Sequence, residues 1–242
     1  MTILSVNLNK IALLRNSRGR DFPNVVAFAR KFIDLGVQGI TIHPRPDERH
    51  IKRRDAFDLA DFLVTKPGIE LNIEGYPADD FLRLVEATRP AQCTLVPDAA
   101  NQLTSDHGWN FHGDTEVVFE AVAQLKAWQV RPAVFLDPDP GQLEGAARSG
   151  AARIELYTED YARAWGSPRQ AEVLARYRDT AGQARTLGLG VNAGHDLDLA
   201  NLADFLAIPE ILEVSIGHAL TVECIERGMA DVIRRYLDIC HG

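Results

Sequence analysis

Cysteine is scarce in this chain, which has three in 242 residues. Cys93, Cys224 and Cys240 are scattered and lack the spacing of a metal site, so neither a disulfide framework nor a cysteine-bound metal is expected. Free thiols predict a reducing compartment, the cytoplasm. A run of about 18 apolar residues is also absent, so no membrane span is expected. The start MTILSVNLNK lacks the basic and apolar regions of a secretory signal.

Basic residues are fewer than acidic residues in this chain. Lysine and arginine together number 26 against 34 acidic residues, and the net charge of −8 disfavours general binding to nucleic acid. Basic residues nevertheless concentrate in one stretch, at Arg45, Arg49, Lys52, Arg53 and Arg54. This stretch is either the solvated start of a helix, neutralised by Asp47, Glu48 and Asp55, or a mouth that attracts anionic substrates.

The chain also has no glycine-rich phosphate loop after its first apolar run, where it reads NLNKIALLRNSRGR. Instead, short apolar runs alternate with longer helical patterns, as in parallel sheets covered on both faces. The predicted strands are ILSVN, GITIH, IELNIE, QCTLVP, PAVFLD, RIELYT, LGVNAG and ILEVSIG. Eight such units fit a closed barrel or an open doubly wound sheet. The missing loop favours a (β/α)8 TIM barrel with parallel strands, in one domain over residues 1–242.

Helical periodicity fills the intervals between these runs. Pro77 is expected to begin one helix, because proline suits a first turn. Ser167-Pro168 are expected to be the N-cap and first residue of a longer helix that ends near Thr186. Glycines expected to end helices in the left-handed conformation are Gly36, Gly150 and Gly188. The long irregular segment 98–114 is either a lid over the site or an ordinary surface excursion.

Polar side chains gather at the predicted carboxyl ends of the strands, which in such barrels face the substrate. They are Asn7, Asn9, Lys10, His43, Arg45, His50, Glu74, Asp137, Glu155, Asn192, His195 and His218. Any one alone is more often a satisfied structural group than a catalyst. Together they favour a site, because structural groups need not converge on one rim. Asp137 is interpreted first as a turn residue, and Glu155 as an inward-facing support that needs a histidine or lysine partner.

These residue types suit acid–base chemistry on phosphorylated substrates. Histidine titrates near neutrality and a partly desolvated glutamate is raised toward it, so two histidines and a glutamate can move several protons in sequence. Arg18, Arg45 and His50 are candidates for holding one phosphate. The backbone of residues 215–218 is a candidate for a second phosphate after the eighth strand. Two anion sites imply two phosphorylated groups.

Several segments carry a resemblance to a known family: VNLNKIALLRNSRG, GITIHPRPDERHI, LNIEGYP, TLVPD with LTSDHGW, RIELYT, GLGVNAGHDL and VSIGHA. They cover nearly the whole chain in family order, and the combination of HPRPDERHI, VNAGH and SIGHA is highly specific. The chain resembles the pyridoxine 5′-phosphate synthase family. The resemblance implies condensation of 3-amino-2-oxopropyl phosphate with 1-deoxy-D-xylulose 5-phosphate to pyridoxine 5′-phosphate, phosphate and water, without a metal or organic cofactor.

The resemblance also implies roles for particular residues. His43 is expected to accept a proton, Glu74 to act as a second acid or base, and His195 to donate a proton. Positions that match contacts to the deoxyxylulose phosphate are Arg18, Arg45, His50 and Thr104. Positions that match the aminoacetone phosphate site are Asn7, Asp196, Gly217 and His218. The loop that holds Thr104 resembles the family's closing lid, and the family implies a homo-octamer.

At one point the chain departs from the family pattern, which often has Asp-His where this chain has Asn9-Lys10. The exchange removes a carboxylate and an imidazole and adds an ammonium group. Lys10 can still donate to a sugar hydroxyl or a phosphate, so both residues are retained as candidates for substrate binding. Asp196 stands where the family often has glycine, which leaves its backbone as its expected contribution.

Three other functions compete with this interpretation. A Schiff-base aldolase needs a lysine at a strand end, and of the five lysines only Lys10 lies there. A zinc enzyme would use His43, Glu74 and His195, although no HxH pair ends a strand and the nearby arginines favour phosphate over a cation. A barrel that only binds phosphorylated metabolites would use the same residues without turnover.

Overall fold

The strands close into a barrel. The computed structural model describes residues 1–98, 102 and 105–242. Each strand pairs in parallel with its sequence neighbours, and the last pairs with the first. The strands are β1 (Ile3–Asn7), β2 (Gly39–Ile42), β3 (Glu70–Gly75), β4 (Gln92–Leu95), β5 (Arg131–Leu136), β6 (Arg153–Tyr157), β7 (Gly190–Gly194) and β8 (Ile211–Ile216). The predicted (β/α)8 barrel is confirmed, and each predicted run coincides with one strand, although β3 and β5 each extend one residue beyond the predicted run.

Helices surround this barrel. They are α1 (Asn9–Asn16), α2 (Val25–Asp34), α3 (Arg53–Val64), α4 (Asp79–Thr88), α5 (Glu116–Ala127), α6 (Leu143–Ser149), α7 (Glu159–Ala164), α8 (Gln170–Thr186), α9 (Leu202–Phe205), α10 (His218–Arg227) and α11 (Met229–His241). In the described part of the chain, none of them combines the length and apolar character needed to cross a bilayer.

The main apolar core lies between the strands and the helices. Side chains alternate along a strand, so Ile40 and Ile42 of β2 point to the same face and join one buried cluster with Phe32 of α2 and Tyr236 of α11. Burial of each such large side chain contributes about 1.5–3 kcal/mol. The side chains at the alternate positions of each strand point into the barrel, where polar residues lie. The alternation therefore reserves the barrel interior for polar chemistry.

Two helix starts differ from the predictions. α4 begins at Asp79, two residues after Pro77, and its first turn carries acidic side chains that complement the helix dipole. α8 begins at Gln170 instead of Pro168. The backbone N–H and the hydroxyl of Ser167 both donate to the carbonyl of Ala164, which closes a separate turn before the helix. The predicted left-handed glycines are confirmed, with φ of 103° at Gly36, 82° at Gly150 and 79° at Gly188.

Candidate active site

The barrel register brings two of the predicted acid–base residues side by side. Thr41 of β2 pairs with Asn72 of β3, and both side chains are buried. His43 lies two residues after Thr41, and Glu74 lies two residues after Asn72. Since side chains repeat their direction every second residue, both belong to the inward face at the carboxyl end of the barrel. The prediction that these two residues meet is confirmed by their contact.

A network of polar contacts holds this pair. The distance from His43 Nδ1 to Glu74 Oε2 is 3.8 Å. Asn7 Nδ2 donates to the same glutamate oxygen over 3.5 Å. Asn9 Oδ1 accepts a hydrogen bond of 2.9 Å from the backbone N–H of His43, while Asn7 Oδ1 accepts one of 3.0 Å from the N–H of Asn9. The two asparagines of β1 and α1 therefore fix the backbone of His43 and the carboxyl of Glu74 together.

Burial displaces the titration of the pair in opposite directions. Desolvation lowers the pKa of His43 well below its usual value, and the positive charge of Arg45 lowers it further. Desolvation raises the pKa of Glu74 well above its usual value, and the negative charges of Glu155 and Asp98 raise it further. Burial therefore disfavours the charged form of both groups. An imidazole base and a carboxyl group in contact are suited to proton transfer.

Cationic side chains lie next to this pair. Arg45 follows β2, is buried, and forms an ion pair with Asp98 after β4. Arg45 Nη1 and Arg49 Nη1 each donate to the carbonyl oxygen of Gln102 over 3.0 Å. Guanidinium groups bind phosphate well because their planar fork matches two of its oxygens. Of the two interpretations of the basic stretch, an anion-binding mouth fits the buried position of Arg45.

A backbone hydrogen bond determines which ring nitrogen of His50 carries the proton. Its Nδ1 accepts a hydrogen bond of 2.9 Å from the N–H of Ile51, so the neutral ring carries its proton on Nε2. Burial, followed by the charges of Arg45, Arg49 and Lys10, lowers the pKa of His50 to about 4. His50 is therefore a neutral N–H donor near neutral pH. Lys10, the second residue of α1, is close enough for its charge to act on this ring.

Glu155 lies inside the barrel below the mouth and is buried. Its Oε2 accepts from the hydroxyl of Thr94 over 3.3 Å. Desolvation and the charge of Glu213 raise the pKa of Glu155 to about 8. The expected histidine or lysine partner was therefore wrong: a carboxyl group that stays protonated needs no cation. Gly194 lies directly against this carboxyl, where any side chain would collide with it.

The backbone at the end of β7 is held in an unusual conformation. His195 and Asp196 have φ of 86° and 57°, a region that non-glycine residues seldom adopt outside functional sites. The hydroxyl of Thr158 donates to the carbonyl of Gly194 over 2.7 Å and also contacts that of His195. The rings of His195 and Tyr157 pack edge to face, with their centroids 4.9 Å apart. His195 Nδ1 lies 3.1 Å from Asp196 Oδ2, and the interaction with His195 lowers the pKa of Asp196.

The end of β8 meets the first strand. Gly217 precedes α10, which begins at His218. A side chain at Gly217 would place its Cβ only 3.0 Å from Cβ of Asn7, so the absence of a side chain lets the two segments approach. His218 is exposed, and its charge contributes to the lowered pKa of Asp196. The N-terminus of α10 thus opens at the same rim as Asn7.

The predicted residues form two groups at the barrel mouth. The first, linked by contacts or by charge, contains Asn7, Asn9, Lys10, His43, Arg45, His50 and Glu74. The second contains His195, Asp196 and His218, and Gly217 packs toward the first group. Arg18 is exposed in the turn after α1, and its backbone N–H bonds within that turn. Thr104 lies outside the described residues.

Sequence reasoning missed Asp98 and Tyr157. Asp98 follows β4 much as His43 follows β2, and it is the last residue of the TLVPD motif, so its position at a strand end was the available signal. Tyr157 looked like an ordinary apolar strand residue. Asp137, interpreted as a turn residue, accepts from the N–H of Gly108 over 3.2 Å. In segment 98–114, the indole N–H of Trp109 donates to the carbonyl of Leu95 over 2.9 Å, which ties this part of the segment to the barrel.

Comparison with known proteins finds whole-length relatives. The model of the family described as "Pyridoxal phosphate biosynthesis protein PdxJ" matches residues 4–242. A protein of Albidiferax ferrireducens named pyridoxine 5′-phosphate synthase is 49% identical, over 98% of this chain and 96% of its own length. A protein of Porphyromonas gingivalis with the same name is 48% identical, over 98% of each chain.

Solved structures of distant sequences share the architecture. A protein from Aquifex aeolicus superposes with a TM-score of 0.67 at 12% identity, covering 99% of this chain and 92% of its own. Phosphoribosyl anthranilate isomerase from Thermotoga maritima superposes with a TM-score of 0.62 at 12% identity, over the full length of both chains. At such identities these likenesses show the barrel fold alone.

Proposed function

Because the chain belongs to the PdxJ family of pyridoxal phosphate biosynthesis proteins, we propose that it condenses 3-amino-2-oxopropyl phosphate with 1-deoxy-D-xylulose 5-phosphate. The products are pyridoxine 5′-phosphate, inorganic phosphate and two molecules of water, which makes the protein a transferase-type, ring-closing synthase. Relatives named pyridoxine 5′-phosphate synthase support this proposal. The observation that carries it is the contact of 3.8 Å between His43 and Glu74, whose titrations are displaced in opposite directions.

In this proposal His43 is the proton acceptor and Glu74 the second acid or base. A substrate phosphate beside Arg45 and Arg49 offsets the two cationic charges that lower the pKa of His43. Substrate binding therefore raises the basicity of His43 at the moment when a base is needed. Glu74, whose pKa is raised by burial, supplies a proton to a departing oxygen. Glu155, buried inside the barrel below the pair, is assigned a supporting role.

The remaining residues bind and orient the two substrates. The deoxyxylulose phosphate is assigned to Arg18, Arg45, His50 and Thr104, with Asn9 and Lys10 on the same side. The amine substrate is assigned to Asn7, Asp196, Gly217 and His218, with His195 as the proton donor. The N-terminus of α10 presents backbone N–H groups toward a phosphate at Gly217. Holding both substrates at one rim removes much of the entropic barrier to their reaction.

The chemistry proceeds through acid–base steps. The amine adds to the ketone of the sugar phosphate, and a first water leaves as the imine forms. Removal of a proton beside the imine gives an enamine, inorganic phosphate leaves, and ring closure with loss of a second water completes the aromatic ring. Each departure needs a proton donor and each carbon deprotonation needs a base. These requirements match the two histidines and the glutamate.

The proposal includes assembly and location, a homo-octamer in the cytoplasm, as the family resemblance implies. Large apolar side chains are exposed on the isolated chain, among them Phe22, Val64 and Ile225 at 78%, 83% and 73%. Exposed apolar area favours association. Sedimentation of the purified protein should give a mass near eight times 26.8 kDa. A monomeric species at micromolar concentration would remove the octamer from the proposal.

A direct assay tests the proposed reaction. Purified protein is mixed with both substrates, and pyridoxine 5′-phosphate is detected by absorbance and by mass, with each substrate omitted in turn. Product that requires both substrates supports the proposal. Binding of both phosphates without product would favour the competing function, a barrel that only binds metabolites. Borohydride trapping of a substrate on Lys10 would favour the aldolase-type alternative.

A further inference from the structure

One buried carboxylate at the mouth has no assigned role. Asp98 follows β4 and is 6% exposed. Its Oδ2 forms the ion pair with Arg45 and accepts from the hydroxyl of Ser105 over 2.7 Å. The same oxygen lies 4.0 Å from His43 Nε2. Asp98 therefore stands at the centre of the first group of site residues, beside the proposed base and the proposed phosphate-binding arginine.

The other oxygen of this carboxylate is unused. Asp98 Oδ1 is buried and has no hydrogen-bond partner in the described part of the chain. Buried carboxylate oxygens normally accept hydrogen bonds, because their desolvation is otherwise uncompensated. Oδ2 is paired with the guanidinium group of Arg45, which leaves the lone pairs of Oδ1 available to accept a hydrogen bond. Such an oxygen is stabilised by a hydrogen-bond donor, and the described residues do not provide one.

Asp98 also lines a cavity of about 660 Å³. Asp98, His43 and Arg45 contribute its polar wall, and Phe81 and Leu84 of α4 contribute part of its apolar wall. Its size lies in the range of small-molecule sites. A donor carried by a small ligand can therefore approach Asp98 from the same space that gives access to the proposed base.

We propose that Asp98 is a further substrate-binding residue, whose Oδ1 accepts a hydrogen bond from a hydroxyl group of the bound sugar phosphate. A carboxylate repels phosphate oxygens, so the group that it meets must be a donor. The hydroxyls of a deoxyxylulose phosphate are such donors, and its phosphate is assigned to the neighbouring Arg45 and His50. This inference rests on the proposed function, because it takes its ligand from that reaction.

The test separates the hydroxyl contact from the phosphate contact. Asp98→Asn preserves shape, and its amide oxygen can replace Oδ2 in accepting from Arg45 and Ser105. Its NH₂ group then faces the substrate with a donor in place of an acceptor. Calorimetry measures binding of two probes to the full-length protein: 1-deoxy-D-xylulose 5-phosphate and propyl phosphate, which has no hydroxyl. The matched control is Asp80→Asn, an exposed carboxylate that lines the same cavity.

The sugar phosphate should bind D98N about 10–100-fold more weakly, as expected for a lost hydrogen bond to a charged group, while propyl phosphate affinity changes less than about threefold. D80N should bind both probes as the unchanged protein does. Equal losses for both probes would overturn the inference, since Asp98 would then act only through Arg45. Equal sugar phosphate affinity in D98N and the unchanged protein would also overturn it.

Two further measurements keep the test decisive. Thermal unfolding shows whether D98N is folded. If D98N is not folded, Asp98→Ser, a small uncharged replacement, takes its place and should show the same selective loss of sugar phosphate affinity. The unchanged protein alone should prefer the sugar phosphate to propyl phosphate. If the unchanged protein does not bind the sugar phosphate, the proposed function fails. If it binds and the variants bind equally well, the function stands and the Asp98 inference alone fails.

Discussion

The two sides of the barrel mouth differ in how completely the protein buries their polar groups. On the side of β2 to β4, His43 and Asp98 are each 6% exposed and Arg45 is 5% exposed. On the side of β7 and β8, His195 is half-buried and His218 is exposed. The polar groups of the first side are held by contacts within the chain, whereas those of the second side are more open to water.

This difference assigns different chemistry to the two sides. Charges interact strongly where water is excluded and are screened where it is not. The buried side accordingly holds the groups with displaced titration, His43 and Glu74. The exposed side offers backbone groups in left-handed geometry, at His195 and Asp196. In the proposed reaction, proton transfer by His43 and Glu74 takes place on the first side, whereas His195 donates its proton from the second.

The largest effect is expected from His43→Asn, which should lower kcat by about 10²–10⁴-fold because the base is lost while Arg45 and His50 still hold the phosphate. Glu74→Gln is the companion variant, since glutamine keeps the shape of the side chain and cannot exchange the proton of a carboxyl group. Steady-state kinetics and calorimetric binding of the sugar phosphate measure both. Unchanged kcat in both variants would mean that the buried side is only structural.

The buried side extends downward to Glu155, whose effect should show in stability. Its pKa is about 8 in the folded protein and near the usual glutamate value when unfolded. The folded state therefore holds the proton more tightly, so this stabilisation is complete below about pH 4.5 and is lost as the pH rises to about 8. Glu155→Gln removes this pH-dependent loss.

Urea unfolding at pH 5 and pH 8.5 measures this effect. Between these pH values the unchanged protein should lose about 2–4 kcal/mol more unfolding free energy than E155Q. A second variant, Glu120→Gln, an exposed glutamate of α5, should follow the unchanged protein. Parallel pH profiles for E155Q and the unchanged protein would show that Glu155 ionises freely in the fold.

The exposed side should respond less. His195→Asn is expected to lower kcat by about 10–100-fold, because a proton donor is lost where water can partly replace it. Asp196→Gly should leave kcat within about threefold, since its side chain is exposed and glycine accepts the φ of 57° without strain. Kinetics with both substrates measures the two variants. A larger loss in D196G than in H195N would reverse the roles assigned to them.

Much of this arrangement follows from the sequence, and the remainder depends on closure of the barrel. The apolar runs predict the strands, and period-two alternation turns His43 and Glu74 inward. No pattern in the chain predicts that Asp98 pairs with Arg45, because their contact depends on how loops after β2 and β4 meet. Among the described residues Glu155 likewise has no cationic partner, a result that depends on the interior of the closed barrel, where burial raises its pKa to about 8.

The smallest effect concerns Lys10. Its charge is one of several causes that lower the pKa of His50 to about 4, behind burial, Arg45 and Arg49. Lys10→Met retains the length of the side chain and removes the charge, so the pKa of His50 should rise, yet stay below its usual value because burial remains.

NMR titration of labelled histidines measures this shift, and His50→Gln identifies the resonance. Sugar phosphate affinity should fall only a few-fold in K10M, as for one exposed ionic contact among several. An unchanged pKa of His50 with lower affinity would place the ammonium group on the substrate and away from the ring. An unchanged affinity with a raised pKa would mean that Lys10 affects the buried side only through the pKa of His50. Lys10 would then not contribute to substrate binding.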